Sequence, residues 1–152
     1  MTRPRIRVAA SVIRYGDVPR VLVFDHVGIP EAGTRAPAGG AEPGEGLERA
    51  VRREVAEETG LLTATVVRRI AVEDSPHPDT RQPRRTTYFL LRAPEGTPDA
   101  GEHQVHGDGG DAGPTFACRF VRLPPARPLA DGRDAWLGRV DPRWTTMAGD
   151  GR

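Results

Sequence analysis

The sequence predicts one domain of mixed α/β class. Apolar, β-branched runs stand both before and after a single stretch of helical periodicity. The 152 residues are enough for one hydrophobic core, with little left for a second. Gly and Pro, 18 and 15 of them, cut the chain into short segments. The apolar share is 37%, below the roughly 45–50% usual for globular chains, so a modest core and much loop are expected.

Residues 6–14 read as a strand of mixed alternation that ends at the Gly16-Asp17 turn. Arg20–His26 is a second strand, nearly continuous in its apolar character, as expected of one buried on both faces. Residues 28–44 form a Gly/Pro/Ala loop, and residues 45–59 the one strong helix, with Gly60 placed to end it. Residues 63–72 and Arg84–Arg92 are further strands, joined by a Pro-rich loop. Residues 93–115 are rich in Gly, Pro and Asp and predict a long loop that is mobile without ligand. A strand over 116–123 follows, then a short helix over 132–139 with Asp131 as its N-cap. Residues 5–144 make up the expected domain, and 1–4 and 145–152 its frayed ends.

Composition narrows the function classes. The chain carries 22 basic residues, all Arg, against 21 acidic ones, a net charge of +1. Such a balance argues against a nucleic-acid coat or a polybasic membrane anchor. One cysteine, Cys118, excludes an intramolecular disulfide and a Cys-based zinc cluster. The basic start is followed by an apolar run too short for a secretory leader, and no run approaches a membrane span. A cytoplasmic protein is the expectation, with monomer and homodimer both open.

Residues 39–61 carry the chemistry: GGAEPGEGLERAVRREVAEETGL. Glycines deliver the chain into a helix that buries Leu47, Val51 and Val55, four apart. Glu45 stands at the helix start, where the dipole favours a carboxylate. Glu54, Glu57 and Glu58 span roughly a third of the helix circumference at about 100° per residue. Three carboxylates so close repel unless they are neutralised. Arg49, Arg52 and Arg53 offer one way; a hard divalent cation, Mg²⁺ or Mn²⁺, offers another.

The order G-x5-E-x7-R-E-U-x-E-E-x-G-U, with U aliphatic, is met by Gly39, Glu45, Arg53, Glu54, Val55, Glu57, Glu58, Gly60 and Leu61. On these residues the chain resembles the Nudix hydrolases. The resemblance implies a Nudix fold, an α/β/α sandwich around a mixed sheet, and divalent-metal-dependent cleavage of a diphosphate linked to another moiety. It implies Glu57 and Glu58 as main metal ligands, Glu54 as ligand or base, the Gly39 carbonyl as a further ligand, and Arg53 as the residue orienting the glutamates. Glu45 helps to fix the loop–helix–loop. The lead-in Pro37-Ala38-Gly39-Gly40 departs from the common Leu-Pro-Gly-Gly.

In such a site metal ions neutralise the diphosphate and lower the pKa of a bound water, and a carboxylate takes its proton. Glu54 is the base candidate within the motif. Glu102, His103, Asp108 and Asp111 are candidates from the later loop, with Glu102 first. His106 is a further substrate-contact candidate. Arg84 and Arg85 are expected to meet phosphates, and Tyr88 to stack on a base; solubilising charge and packing are the plainer roles. Pro76, beside Pro78, stands where some Nudix subfamilies carry a proline linked to ADP-ribose specificity. Trp136 and Trp144 read as a helix anchor and a tail residue. The expected partner is a small diphosphate, a nucleoside diphosphate derivative first. A non-nucleotide diphosphate and a non-catalytic Nudix-like regulator are the alternatives.

Overall fold

The computed structural model describes residues 3–106 and 112–140. Seven strands form one sheet: β1 (Arg5–Arg14), β2 (Arg20–His26), β3 (Ala38–Gly40), β4 (Thr65–Asp74), β5 (Arg84–Arg92), β6 (Ala100–His106) and β7 (Ala112–Arg122). Their order is β4-β5-β1-β2-β7-β6, with β3 attached to β1. The β1–β5 pairing is parallel and every other one antiparallel, so the sheet is mixed.

One edge of β1 pairs with β5 over residues 5–13. The other edge changes partner along its length. Arg7, Val8 and Ala9 face β3, and Ile13 and Arg14 face β2. The sheet therefore opens midway along β1, and the short β3 is left with a free outer edge.

Helix α1 (Leu47–Thr59) packs on one face. Its buried Ala50, Val51 and Val55 meet Val8, Ala10, Val12, Leu22, Phe24, Phe89 and Leu91. The opposite face carries Ala9, Ile13, Val21, Val23, Tyr88 and Leu90, closed by Leu129, Leu137 and Val140 of the C-terminal strap. Strand alternation sorts β1 and β5 between these two cores. The layer order is that expected of an α/β/α fold, but the outer layer beneath the strap consists of 3₁₀ turns, Ala130–Gly132 and Leu137–Arg139.

The expected helix over 132–139 is thus not an α-helix. Asp131 has φ +57° and gives its carboxylate to Arg84 and Arg133, which leaves no cap. Gly60 ends α1 as expected, at φ +75°, with its N–H donating to Ala56 O. Its missing Cβ also matters, because one would lie 2.8 Å from the His103 ring. The loop expected over 28–44 contains a 3₁₀ turn at Pro30–Ala32 and the strand β3.

The largest departure is at 93–115. Much of it is β6 and the start of β7, a hairpin at the sheet edge. Backbone pairing does not need apolar side chains, and an edge strand is well served by polar ones, so composition misreads it as loop. Glu102 and His103 are strand residues; Asp108, Asp111, Trp144 and the expected frayed tail lie outside the described residues. Among the described residues no helix is long and apolar enough to cross a membrane.

Candidate active site

The site is built on the outer edge of β3. Antiparallel pairing turns alternate backbone groups toward β1: Ala10 N–H donates to Pro37 O, and Ala41 N–H to Ile6 O. Ala38 and Gly40 turn their groups outward, and α1 takes one from each; Gly39 stands opposite Val8 in the inward phase, so its carbonyl, expected as a metal ligand, faces β1 instead. Ala38 N–H donates to Glu58 Oε1 at 2.9 Å, and Arg53 Nη2 donates to Gly40 O at 2.9 Å. Between these anchors the Glu54 carboxylate lies against Gly39. A Cβ on Gly39 would fall 2.1 Å from Glu54 Cδ, so only glycine leaves room for it.

Arg53 organises the acids. Its Nε and Nη2 form a fork on Glu45, at 2.8 and 2.9 Å. Nη1 reaches Glu54 Oε1 at 3.0 Å and Glu57 Oε2 at 3.4 Å. Glu45 Oε1 also accepts the Glu42 N–H at 3.0 Å, which ties the incoming loop to the helix. The sequence resemblance assigns Arg53 an orienting part, and this geometry is one in which a single guanidinium holds three carboxylates and a carbonyl.

The charges divide the glutamates by environment. The Arg53 fork, helped by the Glu42 N–H, pulls Glu45 down to about 2. Burial pushes Glu54 up despite Arg53. Burial also pushes Glu58 up to about 8 against the Ala38 hydrogen bond, and the neighbouring Glu54 adds to the rise. Glu57 is the exposed member, its side chain 53% accessible. Two half-buried carboxylates with too little countercharge and an exposed third form a donor set of the kind hard divalent cations take. Among the described residues no three His, Cys, Asp or Glu side chains already surround a common point that could hold a metal ion. Engaging Glu57 requires it to turn away from Arg53.

The other candidates fall elsewhere. Glu102 is exposed and borders a cleft with Thr59, Gly60, Leu61 and Cys118 at the end of α1. It makes no side-chain hydrogen bond or ion pair among the described residues. His103 packs over Gly60. Cys118 is a buried thiol that burial pushes up to about 11, so it is no nucleophile at neutral pH.

Arg84, Arg85 and Tyr88 are not gathered with the glutamates. Arg84 is buried, and its guanidinium is committed to protein acceptors. Nη1 and Nη2 bind Asp131 at 2.8 and 2.9 Å, Nε binds Ser75 O, and Nη2 also binds Pro76 O. The Pro76 carbonyl is thereby part of a structural cage. Arg85 is exposed and paired across the strands with Asp74. Tyr88 is 1% accessible; its hydroxyl takes a hydrogen bond from Arg133 at 3.0 Å, and its ring meets the Trp136 edge. Trp136 in turn donates to Glu73 at 3.0 Å. These groups lock the strap down, which leaves none of this Tyr88 ring for a base.

Arg7 is the residue that sequence reasoning passed over. Its Nε is buried and unbonded, beneath the strap and one strand from the glutamates. No sequence signal marks it: Arg7 shares its phase with Ala9 and Ile13, but both phases of β1 are buried and Arg is common throughout the chain.

Comparison with known proteins agrees with this geometry. A profile of the NUDIX domain matches residues 5–132. No curated protein matches the chain in sequence. Among solved structures, a UDP-X diphosphatase aligns with TM-score 0.65 at 18% identity, over 99% of this chain and 66% of its own. A MutT NUDIX hydrolase from Burkholderia pseudomallei aligns with TM-score 0.62 at 23% identity, over 91% of this chain and 99% of its own. The NUDIX domain of Shewanella oneidensis NrtR, solved with ADP ribose, aligns with TM-score 0.60 at 18% identity, over 97% of this chain and 90% of its own. At these identities the structures bear on the fold, while the profile covers most of the chain and includes the whole acidic helix. The chain belongs to the NUDIX domain family.

Proposed function

We propose that the protein is a divalent-metal-dependent pyrophosphohydrolase that splits a nucleoside diphosphate linked to another moiety, with ADP-ribose or a nucleotide sugar as the leading substrate class. The observation that carries this reading is the arrangement of Glu54, Glu57 and Glu58 beside β3, with Arg53 bonded to Glu54 and Glu57 and Glu58 anchored on the Ala38 N–H. Glu57 and Glu58 are the proposed metal ligands, with Glu54 beside them. Bound Mg²⁺ or Mn²⁺ would neutralise the diphosphate oxygens and acidify an attacking water.

The chain's own residues do the rest. Arg53 holds Glu45 and Gly40, so the loop entering α1 keeps its place while Glu57 swings. Glu54 is the proposed base: it lies against Gly39, bonded to Arg53, and burial pushes its carboxyl up from the ordinary range. Glu102 is the second base candidate, on the strength of its place at the cleft by the end of α1. The ADP-ribose-bound NrtR domain and the UDP-X diphosphatase among the similar structures support trying nucleotide sugars first.

A Mg²⁺- and Mn²⁺-supplemented panel tests this, with ADP-ribose, other nucleotide sugars, dinucleoside polyphosphates, nucleoside triphosphates and isoprenyl diphosphates. The expected products are a nucleoside monophosphate and a sugar phosphate, with ¹⁸O from labelled water in one phosphate. Free sugar with intact nucleoside diphosphate would mean attack at carbon and overturn the chemistry. Turnover confined to another diphosphate would overturn the substrate class alone.

A further inference from the structure

β1 carries an arginine with a buried donor that no protein group among the described residues accepts from. Arg7 lies opposite Gly40 on β3 and Thr86 on β5, and alternation puts it in phase with Ala9 and Ile13 beneath the strap. Its Nε is shut from solvent without a hydrogen-bond partner. A guanidinium has five donors and stays charged, so an unmatched buried N–H is a standing cost that an incoming acceptor removes.

The neighbours explain why nothing in the chain meets it. The charges acting on Arg7 are those of Arg133 and Arg84, then Asp131 and Glu54. Asp131 is the one carboxylate among them on the strap side, and it is taken. Both its oxygens accept from Arg84, and Oδ2 also accepts from Arg133 at 3.1 Å. Arg84 and Arg133 are satisfied by Asp131, Ser75, Pro76 and Tyr88. Three guanidiniums share one carboxylate, and Arg7 is the one left over. Glu54, on the other side, is bonded to Arg53.

A second cation stands next to it. Arg5 is two residues away on the same strand and in the same phase, and its Nη2 lies 3.4 Å from where a Cβ on Gly40 would be. Arg5 is exposed and has no ion pair among the described residues. Gly40, without a side chain, leaves the surface between the two arginines bare. The same Gly40 offers its carbonyl to Arg53 on the outer edge, so this surface adjoins the glutamate site through a single residue.

We propose that Arg7, with Arg5 beside it over Gly40, is an anion site that binds phosphate oxygens of the substrate on the strap side of β3. The inference rests on the diphosphate-hydrolase reading and adds to it the residues that hold the phosphate. A phosphate there answers the charge of Arg7 and balances the surplus positive charge around Asp131.

The test uses Arg7→Met, which keeps the buried stem and removes the charge, together with Arg7→Lys, Arg5→Met and the control Arg20→Met at the β1–β2 turn. Binding of inorganic pyrophosphate, and of a methylene-bridged analogue of ADP-ribose, is measured by calorimetry with Mg²⁺ present. KM and kcat are measured on whichever diphosphate the wild-type protein hydrolyses. Losing a charge-assisted hydrogen bond should raise Kd and KM for Arg7→Met by about 10- to 100-fold, with kcat changed less. Arg7→Lys should fall between, because an ammonium keeps the charge without the fork. Arg5→Met should lose less, and Arg20→Met nothing.

A purely structural Arg7 predicts the opposite pattern: a lower denaturation midpoint with unchanged Kd. Kd and KM within twofold of wild type for Arg7→Met and Arg5→Met overturn the proposal. Should Arg7→Met not fold, normal binding by Arg7→Lys and Arg5→Met has the same force. If the wild-type protein hydrolyses no diphosphate yet binds pyrophosphate in an Arg7-dependent way, the anion site stands and the hydrolase reading falls. If the Arg7 variants turn over and bind diphosphate normally, the hydrolase reading stands and the anion site falls.

Discussion

Gly39→Ala isolates one geometric requirement of the site. The backbone tolerates alanine, because Gly39 is not among the glycines with positive φ and sits in the extended strand β3. The side chain is another matter. A Cβ would stand 2.1 Å from Glu54 Cδ and 2.2 and 2.4 Å from its oxygens. Ordinary contact begins near 3.4 Å, so the carboxylate must move by about 1.3 Å. It is free to do so at modest cost, since what it leaves is its 3.0 Å bond to Arg53. Folding stability should change by less than about 1 kcal/mol. A displacement of about 1 Å in a reacting group costs on the order of 100-fold in rate. The assay is kcat/KM on the best substrate of the panel, with a denaturation curve for each variant. The same substitution placed in a Glu54→Ala background should cost less than about threefold, because the group it displaces is gone. A 100-fold loss that persists in that background would show that Gly39 acts through the backbone. A near-normal rate for Gly39→Ala alone would show that the position of Glu54 does not matter.

Glu57→Gln should lower turnover by about two to three orders of magnitude, while leaving the denaturation midpoint within experimental error, because the side chain is exposed; steady-state kinetics and a urea melt check both halves. Burial raises Glu58 from 4.5 to about 8, so without divalent cations the folded state holds a proton that the unfolded state releases. Its contribution to stability is present below pH 4.5 and is lost as pH rises through 8; melts in EDTA from pH 5 to 9 should show that decline, and a Glu58→Gln variant should abolish it. Added Mg²⁺ should stabilise more at pH 8.5 than at pH 6, because the cation displaces that proton. Arg84→Met leaves Asp131 half-paired under the strap and should cost roughly 3–5 kcal/mol, read from urea denaturation; a loss under 1 kcal/mol would mean that the pair is not what fastens residues 129–140.

The central part of the fold was legible because its signals are local. The apolar run of β2, the four-residue spacing of Leu47, Val51 and Val55, and Gly60 after Thr59 each fix an element by short-range chemistry, and each element stands where it was expected. β3 and β6 were not legible. β3 is three residues long and rich in glycine, so it exists as a strand only because β1 pairs with it. β6 is polar, and its partner β7 supplies the hydrogen bonds that its composition gives no hint of. Asp131 shows the same limit from the other side: the cap expected of it does not form, because Arg84, 47 residues away, holds its carboxylate.

The acidic half of the site was legible for a different reason from the basic half. Glu57 and Glu58 stand three and four positions after Glu54, spacings that bring helix side chains together, so the three declare a shared task in the sequence itself. Arginines declare nothing, because this chain uses Arg for every basic position and spreads it over every element. What separates them is whether the protein already satisfies them. Arg84 and Arg85, the two that the sequence singled out, are each claimed by an aspartate. Arg53 is consumed by the motif acids. Arg7 drew no notice in a strand of apolar residues, yet among the described residues it is the one with a buried donor and no acceptor. Substrate contacts in an arginine-rich protein are therefore to be sought among the unpaired and desolvated guanidiniums, since a guanidinium already paired with a carboxylate must give up that partner before it can take a phosphate.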